Sequence, residues 1–180
     1  MIFKLHISLD YTDPLVWRRL LVPSANFSQL HWIIQHAFGW ENSHLYEFTI
    51  VQDGESVSIG PPNEEFPDVV AAAKVPLRKY LTKPGQEVSY LYDFGDSWEH
   101  TIKLEEISRH SLKVPLCIDG GGACPPEDIG AIPGYYEWVE AVNDPKHPEH
   151  QEMREWHGMK RGAKWDVAHF DVIEPNARLQ

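Results

Sequence analysis

The chain of 180 residues predicts an α+β fold: an antiparallel or mixed sheet built from hairpins, with helices packed on one face in a roll-like single domain. Three observations predict it. Apolar and polar residues alternate in several short stretches separated by turn residues, the period of half-buried strands. One stretch among them carries Leu30, Ile33, Ile34, Ala37 and Phe38 at the spacing of a helix with one apolar face. Strict strand–helix–strand alternation is missing, which argues against a doubly wound parallel sheet. Residues 1–180 are read as one domain, with a long Gly/Pro-rich loop at about 115–132 and a helical C-terminal part at about 133–180.

Taken in order, Phe3, Leu5, Ile7 and Leu9 alternate with Lys4, His6 and Ser8 as a first strand. Asp10, Asp13 and Pro14 mark a turn, and residues 16–22 return as a second strand stopped by Pro23. Adjacent Arg18 and Arg19 must point to opposite faces of that strand. An edge strand with solvated charges accounts for both. The alternative turns one inward, making Arg18 or Arg19 with Asp93 a candidate structural ion pair. Ser28 is the expected helix N-cap and Gly39 the C′ residue. His31 lies off the apolar stripe and is expected at the surface, or facing a cleft beside the sheet. Residues 44–52 alternate again, Asp53-Gly54 reads as a type I′ turn, and 55–59 return. A loop covers 60–67, and residues 69–74 suit strand or helix equally. Pro76 opens a short helix over 76–81.

Residues 115–130 are rich in Gly and Pro and are expected as a long irregular loop, a kind that is often functional or mobile. Pro133 opens a helix with Tyr135, Trp138, Val139 and Val142 on one stripe. A more polar helix follows over 148–157, and the tail is expected to dock through Trp165, Phe170 and Ile173.

The chemistry concentrates in Leu91-Tyr92-Asp93-Phe94-Gly95-Asp96-Ser97-Trp98-Glu99-His100. Gly95-Asp96 suits the centre of a type II′ hairpin turn. That turn pairs Asp93 with Trp98 and leaves Asp93 and His100 as diagonal neighbours on one face, roughly 7–8 Å apart. Asp93, Asp96 and His100, joined by His44, Glu127 and Asp128, form a candidate ligand or divalent-metal cluster of oxygen and imidazole donors. A structural reading stands beside it: an Asp next to Gly caps its own turn, and a strand His packs and hydrogen-bonds. Cys117 and Cys124 match neither zinc-site nor redox-pair spacing and are candidate buried or free thiols.

Composition narrows the function. The chain holds 27 acidic against 16 basic residues, a net charge of -11, which disfavours nucleic acid as a partner. The candidate nucleic-acid patch is Lys160, Arg161 and Lys164, flanked by Trp156 and Trp165. No apolar run approaches the roughly 20 residues that span a bilayer, and the strand-like N-terminus has no secretory pattern. With two cysteines, a reducing cytoplasm is expected. The P-loop, the dinucleotide fingerprint, G-x-S-x-G and H-E-x-x-H are absent.

Several blocks carry a likeness. They are Trp17-Arg18-Arg19 ahead of a Pro, Leu30-His31 through Phe38-Gly39-Trp40, and His44-Leu45-Tyr46-Glu47-Phe48. Tyr92-Asp93-Phe94-Gly95-Asp96-Ser97-Trp98-Glu99-His100, Cys124-Pro125-Pro126-Glu127-Asp128, and Phe170-Asp171 with Asn176 and Leu179 complete them. Together they resemble the plasmid pRiA4b ORF-3-like family over residues 1–179. Ile129-Gly130-Ala131 departs from the Cys-Gly-Gly expected there, which removes a third thiol. The resemblance implies a prokaryotic, mobile-element-associated group without an established activity. A resolvase role would need a catalytic Ser among Arg residues and a basic helix-turn-helix, and the sequence shows neither. The expected function is a cytoplasmic binding or interaction domain without its own catalysis, its partner a protein or small ligand. One alternative is a metal-dependent hydrolase or nuclease-like enzyme using Asp93, Asp96 and His100. Another is a nucleic-acid-associated protein.

Overall fold

The computed structural model describes residues 1–52, 54–62 and 67–180. Asp53 of the expected type I′ turn and residues 63–66 of the expected loop lie outside them. An open sheet of eight strands forms the body, in the order β5-β4-β3-β6-β7-β1-β2-β8. The strands are β1 (Ile2–Leu9), β2 (Val16–Pro23), β3 (Tyr46–Gln52), β4 (Glu55–Gly60), β5 (Val70–Ala71), β6 (Glu87–Tyr92), β7 (Trp98–Ser108) and β8 (Leu116–Gly121). Every pairing is antiparallel except β4–β5. Four helices accompany them: α1 (Phe27–Phe38), α2 (Ala131–Asn143), α3 (His150–Trp156) and α4 (Ile173–Arg178). The expected α+β class, with mixed pairing in a single domain, is what the chain adopts. None of these helices is long and apolar enough to cross a membrane.

Alternation decides the faces. In β1, Phe3, Leu5, Ile7 and Leu9 are at most 1% exposed, while Lys4, His6 and Ser8 face water. α1 covers the buried face: Phe27 meets Phe48 edge-on, and Phe38 meets His100. The opposite face is polar, with His6 stacked on Trp17 and Lys4 paired to Glu105.

Several expectations change. The N-cap of α1 is Asn26, not Ser28. Its side chain accepts from the Gln29 N–H at 2.9 Å, and the Gln29 side chain accepts from the Asn26 N–H at 2.9 Å. This reciprocal capping box begins the helix earlier, so that Phe27 enters the core. Gly39 ends it in the left-handed conformation as expected (φ 90°). Pro76 precedes a short 3₁₀ turn, Leu77–Lys79.

The stretch expected as an irregular loop contains β8. Its glycines serve close approach, not looseness. A Cβ on Gly120 would lie 2.6 Å from the Phe170 ring, and one on Gly121 would lie 2.7 Å from Trp17 Nε1. β8 makes β2 an interior strand, so neither arginine sits on an edge. Arg19 points outward and bridges Glu105 at 2.9 Å and Asp119 at 2.8 Å. Arg18 points inward and is 5% exposed. Among the described residues it meets no carboxylate. Its guanidinium donates to the carbonyls of Ala37, Trp17, Gly121 and Gly122, and lies 4.6 Å from the Phe170 ring centroid. The expected pairing of Arg18 or Arg19 with Asp93 is absent, because backbone carbonyls and Glu105 with Asp119 take those donors instead. In the tail, Phe170 and Leu179 dock, while Ile173 is 70% exposed.

Candidate metal centre

The β6–β7 hairpin closes one residue away from the expected register. Tyr92 pairs with Trp98, Leu91 with Glu99 and Tyr90 with His100. The expected pairing of Asp93 with Trp98 would have set Tyr92 against Glu99 on one face. The observed register puts Tyr90, Tyr92, Trp98 and His100 together in the core, and a slip of one residue would reverse those faces. The turn is therefore a five-residue loop, 93–97, with Asp93 and Ser97 left-handed (φ 57° and 53°). Asp and Ser tolerate that region better than bulky residues do.

His100 consequently leaves the expected cluster. It is 1% exposed and ringed by Phe38, Trp40 and Tyr90. Its Nδ1–H donates to the Trp98 carbonyl at 2.9 Å, and burial pushes its pKa down to about 3. Asp96 leaves as well. Its Oδ2 accepts from the Gly130 N–H at 3.0 Å, tying the hairpin tip to the segment after Asp128.

The other four candidates converge. His44 lies in the connection between α1 and β3, Asp93 at the end of β6, and Glu127 and Asp128 between β8 and α2. His44 Nε2 lies 2.9 Å from Asp128 Oδ1, 3.6 Å from Asp93 Oδ2 and 3.9 Å from Glu127 Oε2. One donor atom from each of His44, Asp93 and Asp128 falls within 4.8 Å of the others. Asp93 does two things at once: Oδ1 accepts from the Gly95 N–H at 2.9 Å, while Oδ2 faces His44. The capping and ligand readings therefore describe different oxygens of one carboxylate. Asp128 is left-handed (φ 56°) and largely exposed, which leaves one side of the cluster open to water.

Tyr92, Ser43, Glu41 and Asn42, which sequence reasoning did not single out, help to hold this arrangement. Tyr92 donates its hydroxyl to Glu127 Oε1 at 2.9 Å and accepts from the Ser43 N–H at 3.0 Å. Burial first, and then the Glu127 carboxylate, raise the Tyr92 pKa and keep the phenol protonated. Glu127 Oε1 also accepts from the Glu41 N–H at 2.7 Å. Deeper in, His31 is not at the surface. It is 1% exposed and stacks on Tyr46 at 3.6 Å. Its Nε2–H donates to Asn42 Oδ1 at 2.6 Å, and its Nδ1 accepts from the Tyr90 hydroxyl at 2.8 Å. Burial pushes the His31 pKa down to about 4, which keeps the ring neutral. The only sequence signal for this scaffold was the run of aromatic residues at 90–92 beside Asp93.

The remaining candidates lie elsewhere. Cys117 is buried in β8, and its thiol donates to the Asp119 carbonyl. The Cys124 thiol is enclosed, and burial pushes its pKa up to about 12. Both are free and protonated, and neither joins the His44 cluster. Lys160, Arg161 and Lys164 lie between α3 and α4, where Arg161 and Lys164 line a cavity that also contains Glu155. Trp165 does not stand free for stacking there, because its ring packs edge-on against Trp138 at 4.7 Å and its Nε1–H donates to Tyr135.

Comparisons with known proteins bear on the chain as a whole. The profile of the plasmid pRiA4b ORF-3-like proteins matches residues 1–174. The chain is 42% identical over 161 residues to the uncharacterized protein y4hQ of Sinorhizobium fredii (strain NBRC 101917 / NGR234), covering 87% of this chain and 81% of that protein. The crystal structure of a protein of unknown function, MM3350 from Methanosarcina mazei Go1, superposes with a TM-score of 0.81 at 33% identity, covering 96% of each chain. A profile match over residues 1–174, a relative of 42% identity and a shared fold together place this chain in the plasmid pRiA4b ORF-3-like family.

Proposed function

We propose that the protein is a binding domain whose ligand at this centre is a divalent cation, held by His44, Asp93 and Asp128 with Glu127 beside them. The observation that carries this reading is the convergence of three donor atoms, from three separate segments of chain, within 4.8 Å of one another. A cation placed among the three carboxylates would offset their mutual repulsion. The mixed nitrogen and oxygen donors suit Mn²⁺ or Zn²⁺ better than an all-oxygen site would. Binding is favoured over catalysis because the carboxylates already have structural duties. Asp93 caps Gly95, and Glu127 holds Glu41 and Tyr92. The free thiols of Cys117 and Cys124 support a reducing, cytoplasmic setting, and a protein or a small ligand remains the favoured further partner.

Thermal denaturation of EDTA-stripped protein with Mn²⁺, Zn²⁺, Co²⁺ or Mg²⁺ tests the reading. A cation at about 100 times its Kd stabilises the native state by about 2.7 kcal/mol. At least one of these ions is expected to raise the melting temperature of wild type and not of His44→Ala. No shift with any ion at millimolar excess would rule the site out.

A further inference from the structure

α1 separates the metal centre from a second feature. The cluster takes His44 from the connection that follows its C-terminal end, and a groove opens beside Gln29, Trp32 and Ile33 on the helix. The groove has a volume of about 540 Å³ and runs between α1, the end of β2 and the segment leading into β8. Trp32 and Ile33 from α1, with Leu112 and Pro115 opposite, give it an apolar wall, and Lys113 stands in the same lining. Trp32 is 47% exposed, so a large aromatic surface is available there. Through Ser24, Ala25 and Gln29 the groove continues into a second cavity of about 390 Å³, whose lining includes Lys74 and Arg78.

Charge separates this region from the rest of the molecule. Among the described residues no Asp or Glu lines either cavity, although acidic residues outnumber basic ones 27 to 16 along the chain. Among the described residues, Lys74, Arg78 and Lys113 form no ion pair. The positive charge is offered by side chains, not by the helix terminus, because the capping box already uses the N–H groups of Asn26 and Gln29. On a surface that repels anions elsewhere, unpaired cations beside an apolar wall focus them here.

We propose that this groove binds a small amphipathic organic anion. Its apolar body lies against Trp32, Ile33, Leu112 and Pro115, and its carboxylate, sulfonate or phosphate is held by Lys113, Lys74 and Arg78. The volume falls in the range of small-molecule sites, and an apolar wall with a few polar anchors is their usual construction. Charged hydrogen bonds orient the head group, while the Trp32 face supplies contact area at little entropic cost.

The test is a fluorescence titration of the whole chain with 1-anilinonaphthalene-8-sulfonate, an aromatic body carrying one sulfonate. Saturable binding at one site is expected, with energy transfer from tryptophan that falls in Trp32→Ala. The double variant Lys113→Glu/Arg78→Glu, on the exposed rim, is expected to fold as wild type by circular dichroism and to bind about tenfold more weakly or worse. N-phenyl-1-naphthylamine, which lacks the sulfonate, is expected to bind weakly to wild type. Octanoate is expected to displace the probe, and His44→Ala is expected to change nothing, which separates this site from the metal centre. Absence of saturable binding would overturn the proposal. So would full affinity in a folded double variant, or equal affinity for the neutral analogue, which marks a plain apolar patch. Displacement by polyglutamate but not by octanoate would assign the groove to an acidic peptide and also overturn it.

Discussion

At the scale of single residues, Asp93 is the most informative position, because its two oxygens have different partners. Asn in its place keeps an acceptor for the Gly95 N–H and tolerates the left-handed backbone at least as well. Asp93→Asn should therefore lose at most about 1 kcal/mol of stability in a urea titration. It should lose the cation-dependent rise in melting temperature altogether. A loss of several kcal/mol, of the size that follows breaking a buried ion pair, would contradict the absence of any Arg18 or Arg19 contact with Asp93. An unchanged cation response would remove Asp93 from the centre.

At the scale of elements, β8 shows how an exposed edge is managed. It is an outermost strand, and an unpaired edge invites association with other chains. Asn176 from α4 covers part of it. Its Oδ1 accepts from the Cys117 N–H at 2.9 Å, and its Nδ2–H donates to the Cys117 carbonyl at 2.8 Å, as a neighbouring strand would. Asn176→Ala should cost about 1–2 kcal/mol and speed amide exchange at Cys117 roughly tenfold or more, read by hydrogen–deuterium exchange. Unchanged exchange would mean that the docked tail, not this amide, protects the strand. The hairpin of β6 and β7 teaches a related lesson. Its existence and aromatic character are legible in residues 88–104. Its register is not, since Gly95-Asp96 suits a two-residue turn locally and only the shared burial of Tyr90, Tyr92, Trp98 and His100 selects the longer loop.

At the scale of the whole molecule, two neutral histidines in the core couple stability to pH. His31 and His100 are held at about 4 and about 3, each chiefly by burial, against about 6.5 in an unfolded chain. Below pH 6.5 the unfolded state takes up protons that the native state refuses. Their contribution is thus fully present above pH 6.5 and is lost as pH falls toward the folded values. Between pH 7 and pH 5 the two together should remove roughly 4 kcal/mol. Urea midpoints at both pH values check this, with His100→Leu expected to show about half the drop of wild type. An equal drop in that variant would show that His100 is not held neutral.

Periodicity and turn residues determined the first two strands, the apolar stripe of α1 and its end at Gly39, the helix near Pro133 and the α+β class, because those patterns record which face of each element is buried and where it stops. Composition and the Asp93 and Glu127-Asp128 blocks also brought out four residues that do meet, His44, Asp93, Glu127 and Asp128. Tertiary structure decided the rest. It sent His100 inward, spent Asp96 on Gly130, buried His31, and turned Arg18 toward carbonyls contributed in part by a strand expected as a loop. The physical reason is common to all four. A polar side chain's role depends on the partners that reach it, and most of these partners come from across the sheet or from segments distant in sequence, where local spacing carries no information.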